Sequence, residues 1–281
     1  MSPLLVVVLV ALAICAFCWV ASLITKDTSW VDRIWSIVPV VYVWIFAIGA
    51  GMTDVRLDVM AGLVTLWGAR LTFNFARKGG YAGIGGDHED YRWAVLRGRM
   101  SPVGFQFFNF FFIVLFQNAV LVLIALPAYT AYQHRGTPFG PLDIVLTVLF
   151  LLFLAGETTA DQQQWNFQAW KRAELAAGRE PSPRFVQTGL WRLSRHPNFF
   201  FENAQWWTIF AFGAVAAGSV LQWTVAGIVL LLAVFIGSTN FTEAITKSKY
   251  PEYAAFQKST SAVIPWFPRR GGVAPAATPM N

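Results

Sequence analysis

Polar and ionisable side chains gather at four places in an otherwise apolar chain. Burying an ionisable group in lipid costs at least about 2.5 kcal/mol, so each place implies a partner or a task. The richest is G-L-W-R-L-S-R-H-P-N-F-F-F-E, residues 189–202. Pro197 suits a helix start, where its missing N–H is not needed, and the first-turn amides and dipole then face whatever docks. Arg195 and His196 add donors for an anion, while Asn198 and Glu202, four apart, can offer an amide and a carboxylate to sugar or base edges. The plainer alternative is an interfacial loop with basic side chains reaching for water.

Asp32, in S-W-V-D-R-I-W, is either a first-turn acid matched to a helix dipole with Ser29 as N-cap, or a desolvated carboxyl that stays protonated and donates to a carbonyl. Trp67, Arg70 and Asn74 share one helix face. Arg70 either serves a ligand there or snorkels to the interface. Glu157 and Asp161, again four apart, would repel unless cations such as Arg195 or ligand hydroxyls meet them; otherwise they begin a solvated helix extension.

The elements that must position these groups follow from composition. Of 281 residues, 56% are hydrophobic and 13% charged, with mean hydropathy +0.50. Too few charges remain to coat a soluble globule. Stretches near the roughly 20 residues needed to cross a bilayer lie at 3–24, 34–52, 55–75, 105–131, 142–160, 200–216 and 220–244, and in lipid each must be a helix. The prediction is an all-α membrane protein of seven transmembrane helices. The first is retained rather than cleaved, since no basic residue precedes it and no small-residue cleavage site follows before Lys26.

Charge distribution supplies the orientation. Of the 21 Lys and Arg residues, 18 fall in alternate connections and the tail after Ala244. The opposite loops carry Arg56 and Arg135, and Arg70 lies within the third span. This predicts an external N-terminus and a cytoplasmic C-terminus. Net charge +6 and pI near 9.5 then reflect topology and a lipid bilayer partner, with no nucleic acid implied. Cys15 and Cys18 on the first span are read as packing residues. The Gly-rich loop at 76–102 lacks a dinucleotide or P-loop fingerprint. Three histidines cannot furnish the histidine boxes of a diiron enzyme, and no metal site is expected. One membrane domain at 1–270 and a disordered tail at 271–281 complete the expected organisation.

At the R-H-P-N segment the sequence resembles the steroid 5-alpha-reductase superfamily, in its bacterial DUF1295 branch. The likeness runs from V-D-R-I-W near residue 32 to the closing Y-P-E-Y-A-A-F-Q-K-S-T-S-A-V-I-P-W-F-P. It implies seven membrane helices and NADPH-dependent reduction of a carbon–carbon double bond conjugated to a ketone. By position it implies cofactor roles for Asn198, Glu202 and Asp161, and a carbonyl-polarising role for Asp32, seven residues before Pro39. Trp67 stands near the family's tyrosine partner and Asn74 near its cofactor-facing tyrosine. The indole of Trp67 donates a hydrogen bond but supplies no proton. Thr242 and Thr246 replace the late His and Tyr of many members, and Trp165 and Gln168 stand where basic residues are typical. Arg70, Glu157, Arg195 and His196 complete the expected cofactor set.

The implied substrate is a lipophilic enone, in a multi-pass protein of a bacterial plasma membrane. An integral membrane S-adenosylmethionine-dependent methyltransferase of the isoprenylcysteine carboxyl or phospholipid type also carries R-H-P with a downstream Glu. A transporter is disfavoured by the few polar groups in spans four, six and seven. Substrate identity, NADPH against NADH, and oligomeric state are open.

Overall fold

The computed structural model describes residues 1–85 and 88–269, so the expected tail at 271–281 lies outside the described residues. Among these residues the chain is helical, with α1 (Pro3–Thr25), α2 (Trp30–Ile34), α3 (Val38–Gly49), α4 (Val55–Arg77), α5 (Tyr91–Arg97), α6 (Pro102–Phe108), α7 (Gln117–Gln133), α8 (Pro141–Ala176), α9 (Pro197–Ala217), α10 (Val225–Lys249) and α11 (Tyr253–Ser259). A π-helical segment, Asn109–Phe116, joins α6 to α7, so that Pro102–Gln133 forms one long helix. Five helices among the described residues are long and apolar enough to cross a membrane: α1, α4, the α6–α7 helix, α8 and α10. Helices also occupy the two other expected intervals, the 12-residue apolar α3 and the 21-residue α9.

The chain divides into two compact units, Met1–Val148 with Trp207–Leu231, and Leu149–Trp206 with Leu232–Asn281. Within the first, helices approach closely where small residues allow it. Pro127 inside α7 cannot give the i→i−4 hydrogen bond to the Leu123 carbonyl. Gly227 packs on that carbonyl, and a Cβ there would clash with the Leu123 oxygen; at Gly213 it would lie 2.7 Å from the Pro127 oxygen. Such contacts hold helices together in lipid, where apolar burial between them gains little.

Charge is also neutralised internally. Arg56, expected as a loop cation, sits in the first turn of α4 and forms a two-pronged pair with Asp143, at 2.6 and 2.8 Å. Thr137 and the Pro138 carbonyl take its remaining donors, and the Gly140 amide donates to Asp143. The side chains are 2% and 1% exposed. Removing one partner leaves a buried charge uncompensated, so Arg56→Leu should cost about 3–5 kcal/mol of stability in detergent. Arg56→Leu with Asp143→Leu should recover most of that loss; equal unfolding midpoints for the single and double variants would contradict the pairing.

Candidate functional site

Asp32 lies in the short helix α2, in the first unit. The position of Ser29 is that of an N-cap, but its hydroxyl accepts from the Asp90 amide at 2.8 Å and makes no cap bond. The Gly-rich loop folds back over this segment. Arg33 reaches Asp27 at 2.7 Å and the carbonyls of Gly80 and Gly83, while Glu89 accepts from the amide and hydroxyl of Thr28 and from Arg97. Burial alone would raise the Asp27 carboxyl, but Arg33 and the Gly85 and Ser29 amides hold it below the usual range.

This docking brings α5 onto Asp32. The Trp93 indole donates to its Oδ2 at 2.7 Å, and Arg92, held bidentately by Asp90, stands 3.7 Å from Oδ1. Trp93 is embedded with Cys18, Val31 and the π-segment residues Ile113 and Val114 in an apolar cluster. Desolvation therefore dominates, Arg92 and the Trp93 bond only partly oppose it, and Asp90 adds to it, so the Asp32 carboxyl is pushed up to about 6. It is a weak acid near neutrality, with 13% of its side chain exposed. The π-helical turn beside this cluster is a feature often found at functional sites.

Trp67 and Asn74 are buried on α4, and the Asn74 carbonyl accepts from Arg77 at 2.9 Å; Arg70, between them, is half-buried. The indole hydrogen-bonded to Asp32 is that of Trp93, a residue the sequence leaves in an ordinary loop. Sequence reasoning also passes over buried Asn109 and Asn118 of the π-segment and α7, 1% exposed each. Their signal is amides inside a run of Phe and Val.

The other cluster occupies the second unit. The helix α8 runs 36 residues, roughly 54 Å at 1.5 Å per residue, well beyond the roughly 30 Å hydrocarbon core. Contacts of Gly156 with Phe201, Ala160 with Trp191 and Gln163 with Leu190 set this part of α8 antiparallel to the 189–205 segment. Gly189 starts the turn at φ +59°, and a Cβ there would meet the Gln163 amide. Two rows at i, i+4, i+7 result, Glu157–Asp161–Gln164 on α8 and Asn198–Glu202–Gln205 on α9. Gln205 donates to Glu157 at 2.6 Å. Glu157 and Asp161 of α8 and Glu202 of α9 are 1%, 6% and 6% exposed, so the first two do not begin a solvated extension, whereas Glu174 further along α8 is partly exposed.

Among the described residues, Arg195 makes no hydrogen bond to Glu157 or Asp161. Its guanidinium forks onto Glu243 of α10, at 2.6 and 3.1 Å, and reaches the Gln257 and Thr260 carbonyls. His196, Tyr253 and Gln257 bond the same carboxylate at 3.0, 3.1 and 2.7 Å. Burial, first, and the Glu243 charge keep the Tyr253 phenol protonated well above its ordinary range. Arg195 and His196 thus anchor the R-H-P turn instead of standing open to an anion. Glu243 is the residue sequence reasoning missed, although an acid in the apolar run before Lys247 is itself a signal.

Among the described residues, the side-chain oxygens of Asn198, Gln164, Gln205 and, on α10, Thr239 are buried without a hydrogen-bond partner. Amide acceptors flanked by carboxylates suit a ligand rich in donors, such as ribose hydroxyls, an amino group or a carboxamide. The described residues contain no group of three His, Cys, Asp or Glu able to hold a metal ion.

Long apolar helices with buried acids and amides define a multi-pass α-helical membrane protein with internal polar sites. The chain belongs to the family described as protein of unknown function (DUF1295), which matches residues 18–260. An uncharacterized protein of Schizosaccharomyces pombe is 37% identical over 286 aligned positions, covering 96% of this chain and 81% of the relative. With a fungal relative of this likeness, the match does not single out a bacterial branch. No solved structure matches significantly.

Because Glu243 receives bonds from four side chains, Glu243→Ala should leave Arg195 buried without its counter-charge and cost about 3–5 kcal/mol. Limited proteolysis should then cut the 250–269 segment faster than in the parent. Parent-like cutting and an unchanged midpoint would show that Glu243 does not anchor the turn.

Proposed function

We propose that the protein is a membrane-embedded, NADPH-dependent reductase of a conjugated carbon–carbon double bond in a lipophilic ketone. The observation that carries this is Asp32, a carboxyl desolvated beside Trp93 and titrating near 6, which can donate a hydrogen bond to a carbonyl oxygen as negative charge gathers there. The nicotinamide, when bound, would supply hydride to the carbon β to the carbonyl, and a proton from solvent would reach the α carbon as the enolate returns to the ketone. Within the second unit, Asn198, Gln164 and Gln205 offer acceptors to the ribose and amino donors of a nucleotide, and Asp161 and Glu202 offer carboxylates to hydroxyls. Trp93 orients the Asp32 carboxyl, and Arg92 limits how far its proton affinity rises. Seven crossings with an external N-terminus and a cytoplasmic C-terminus belong to the same proposal.

A second function is favoured by one specific observation. Arg195 and His196 are engaged by Glu243, so the cluster beside them is richer in carboxylates than in cations free for phosphates. Carboxylates and amides also suit the sulfonium, amino and ribose groups of S-adenosylmethionine, and methyl transfer to a lipid is the alternative. Thermal unfolding against graded NADPH, NADH and S-adenosylmethionine separates the two, because a ligand bound only to the folded state stabilises it by RT ln(1 + [L]/Kd). Saturable stabilisation by NADPH, lost in Asn198→Ala, is expected; a response to S-adenosylmethionine alone would overturn the reductase.

Asp32 acts in its protonated form, so turnover should be level below pH 6 and fall about tenfold per unit above it. Asp32→Asn should keep NADPH binding, lower turnover roughly 100-fold and abolish that decline. Turnover unchanged in Asp32→Asn would remove the proposed acid.

A further inference from the structure

The C-terminal segment carries groups that neither cluster uses. Beyond Lys249, where α10 ends, the chain passes through α11 and then runs pinned along 193–196. The Arg195 and His196 amides donate to the Ser261 and Ala262 carbonyls, Ser194 bonds the Val263 carbonyl at 2.7 Å, and the Trp266 amide donates to Leu193 at 2.9 Å. The backbone is held while the side chains face outward. Ile264, Trp266 and Phe267 are 67%, 71% and 80% exposed. Pro265 and Pro268, between and beyond them, have no N–H to satisfy, which lets an extended strand remain unpaired on that side.

Beside this apolar ridge lies a cavity of about 370 Å³. Lys258, Arg195 and Arg269 line it together with Ser259, Thr260 and Ser261, and none of its lining residues, all among those described, is acidic. The Arg195 guanidinium is committed to Glu243, Gln257 and Thr260, so it contributes field while Lys258 and Arg269 are placed to contact a ligand.

We propose that this pocket and its aromatic ridge bind the phosphate headgroup of an anionic phospholipid, Lys258 and Arg269 holding the phosphate and Trp266 and Phe267 resting against the glycerol and upper acyl region. The inference is independent of the reductase proposal. Three observations favour lipid over a soluble phosphate compound. Apart from Arg195, the pocket's lining begins at Gln257, eight residues beyond the end of a helix apolar enough to cross the membrane. Its rim presents Trp and Phe, the residue types that settle at a bilayer interface. Ile264 and Phe267 gain nothing from a hydrophilic ligand but are removed from water by acyl chains. Lys and Arg near a membrane surface draw anionic lipid in particular.

The test uses the full chain, stripped of lipid in a neutral detergent, with native mass spectrometry counting bound phosphatidylglycerol and phosphatidylcholine. Phosphatidylglycerol should bind more tightly than phosphatidylcholine. Lys258→Ala and Arg269→Ala should each weaken it about fivefold and weaken phosphatidylcholine less, because the choline cation offsets its phosphate charge, whereas Trp266→Ser with Phe267→Ser should weaken both lipids alike. Lys258→Glu, a change at an exposed position, serves if an alanine variant does not fold. Equal affinity for the two lipids, or indifference to the charge variants, would overturn the site. Displacement of phosphatidylglycerol by inorganic phosphate or NADPH at equal concentration would also overturn it, assigning the pocket to soluble phosphate.

Discussion

Lipid offers no water to a charge or an amide, and that constraint shapes nearly every specific contact in this protein. Three buried ionic groups are each met by partners within the same unit, most of them from a distant part of the sequence. Arg56 finds Asp143 across 87 residues, Arg33 finds Asp27 together with two carbonyls of a Gly-rich loop, and Glu243 collects Arg195, His196, Tyr253 and Gln257. Breaking such a group is costly because the remaining charge has nowhere else to turn.

The same constraint separates acids that do structural work from acids available for chemistry. Glu243 is saturated by cationic and neutral donors and anchors a turn. Asp27 is saturated too, and its carboxyl stays readily ionised. Asp32 receives an indole bond, a bond from Ser29 and a loose ion pair at 3.7 Å with Arg92, whose guanidinium is held closer by Asp90. A desolvated carboxyl with incomplete compensation keeps its proton to higher pH. Desolvation first, and fewer opposing partners second, make Asp32 the stronger candidate for donating to a carbonyl.

In the second unit, satisfaction is left incomplete in a patterned way. The partnerless oxygens of Gln164, Asn198 and Gln205 belong to two rows set along facing parts of α8 and α9. Buried polar atoms are nearly always paired in folded proteins. Among the described residues, buried oxygens without a hydrogen-bond partner also occur at Tyr42, Asn109, Asn118 and Asn203, so what sets these two rows apart is that their three acceptors lie beside buried carboxylates.

The sequence by itself determined the helical class, the approximate places of the long apolar helices and where polar groups interrupt them, but not the short helices α2, α5 and α11 or the run of α8 to Ala176. Hydropathy over some 20 residues and the 3.6-residue period are local properties, so Glu157 with Asp161 and Asn198 with Glu202 were legible as shared faces. Partner choice was not legible. Nothing local distinguishes Trp93, in a loop of mixed polarity, from Trp67 on an apolar span, yet it is Trp93 that the folded loop brings to Asp32. Likewise the R-H-P motif displays two donors in sequence, and only the return of α10 and α11 shows them bound to Glu243. Those pairings span 47 to 61 residues, and the tertiary structure decided them because competition for a buried charge is settled by which groups arrive in three dimensions.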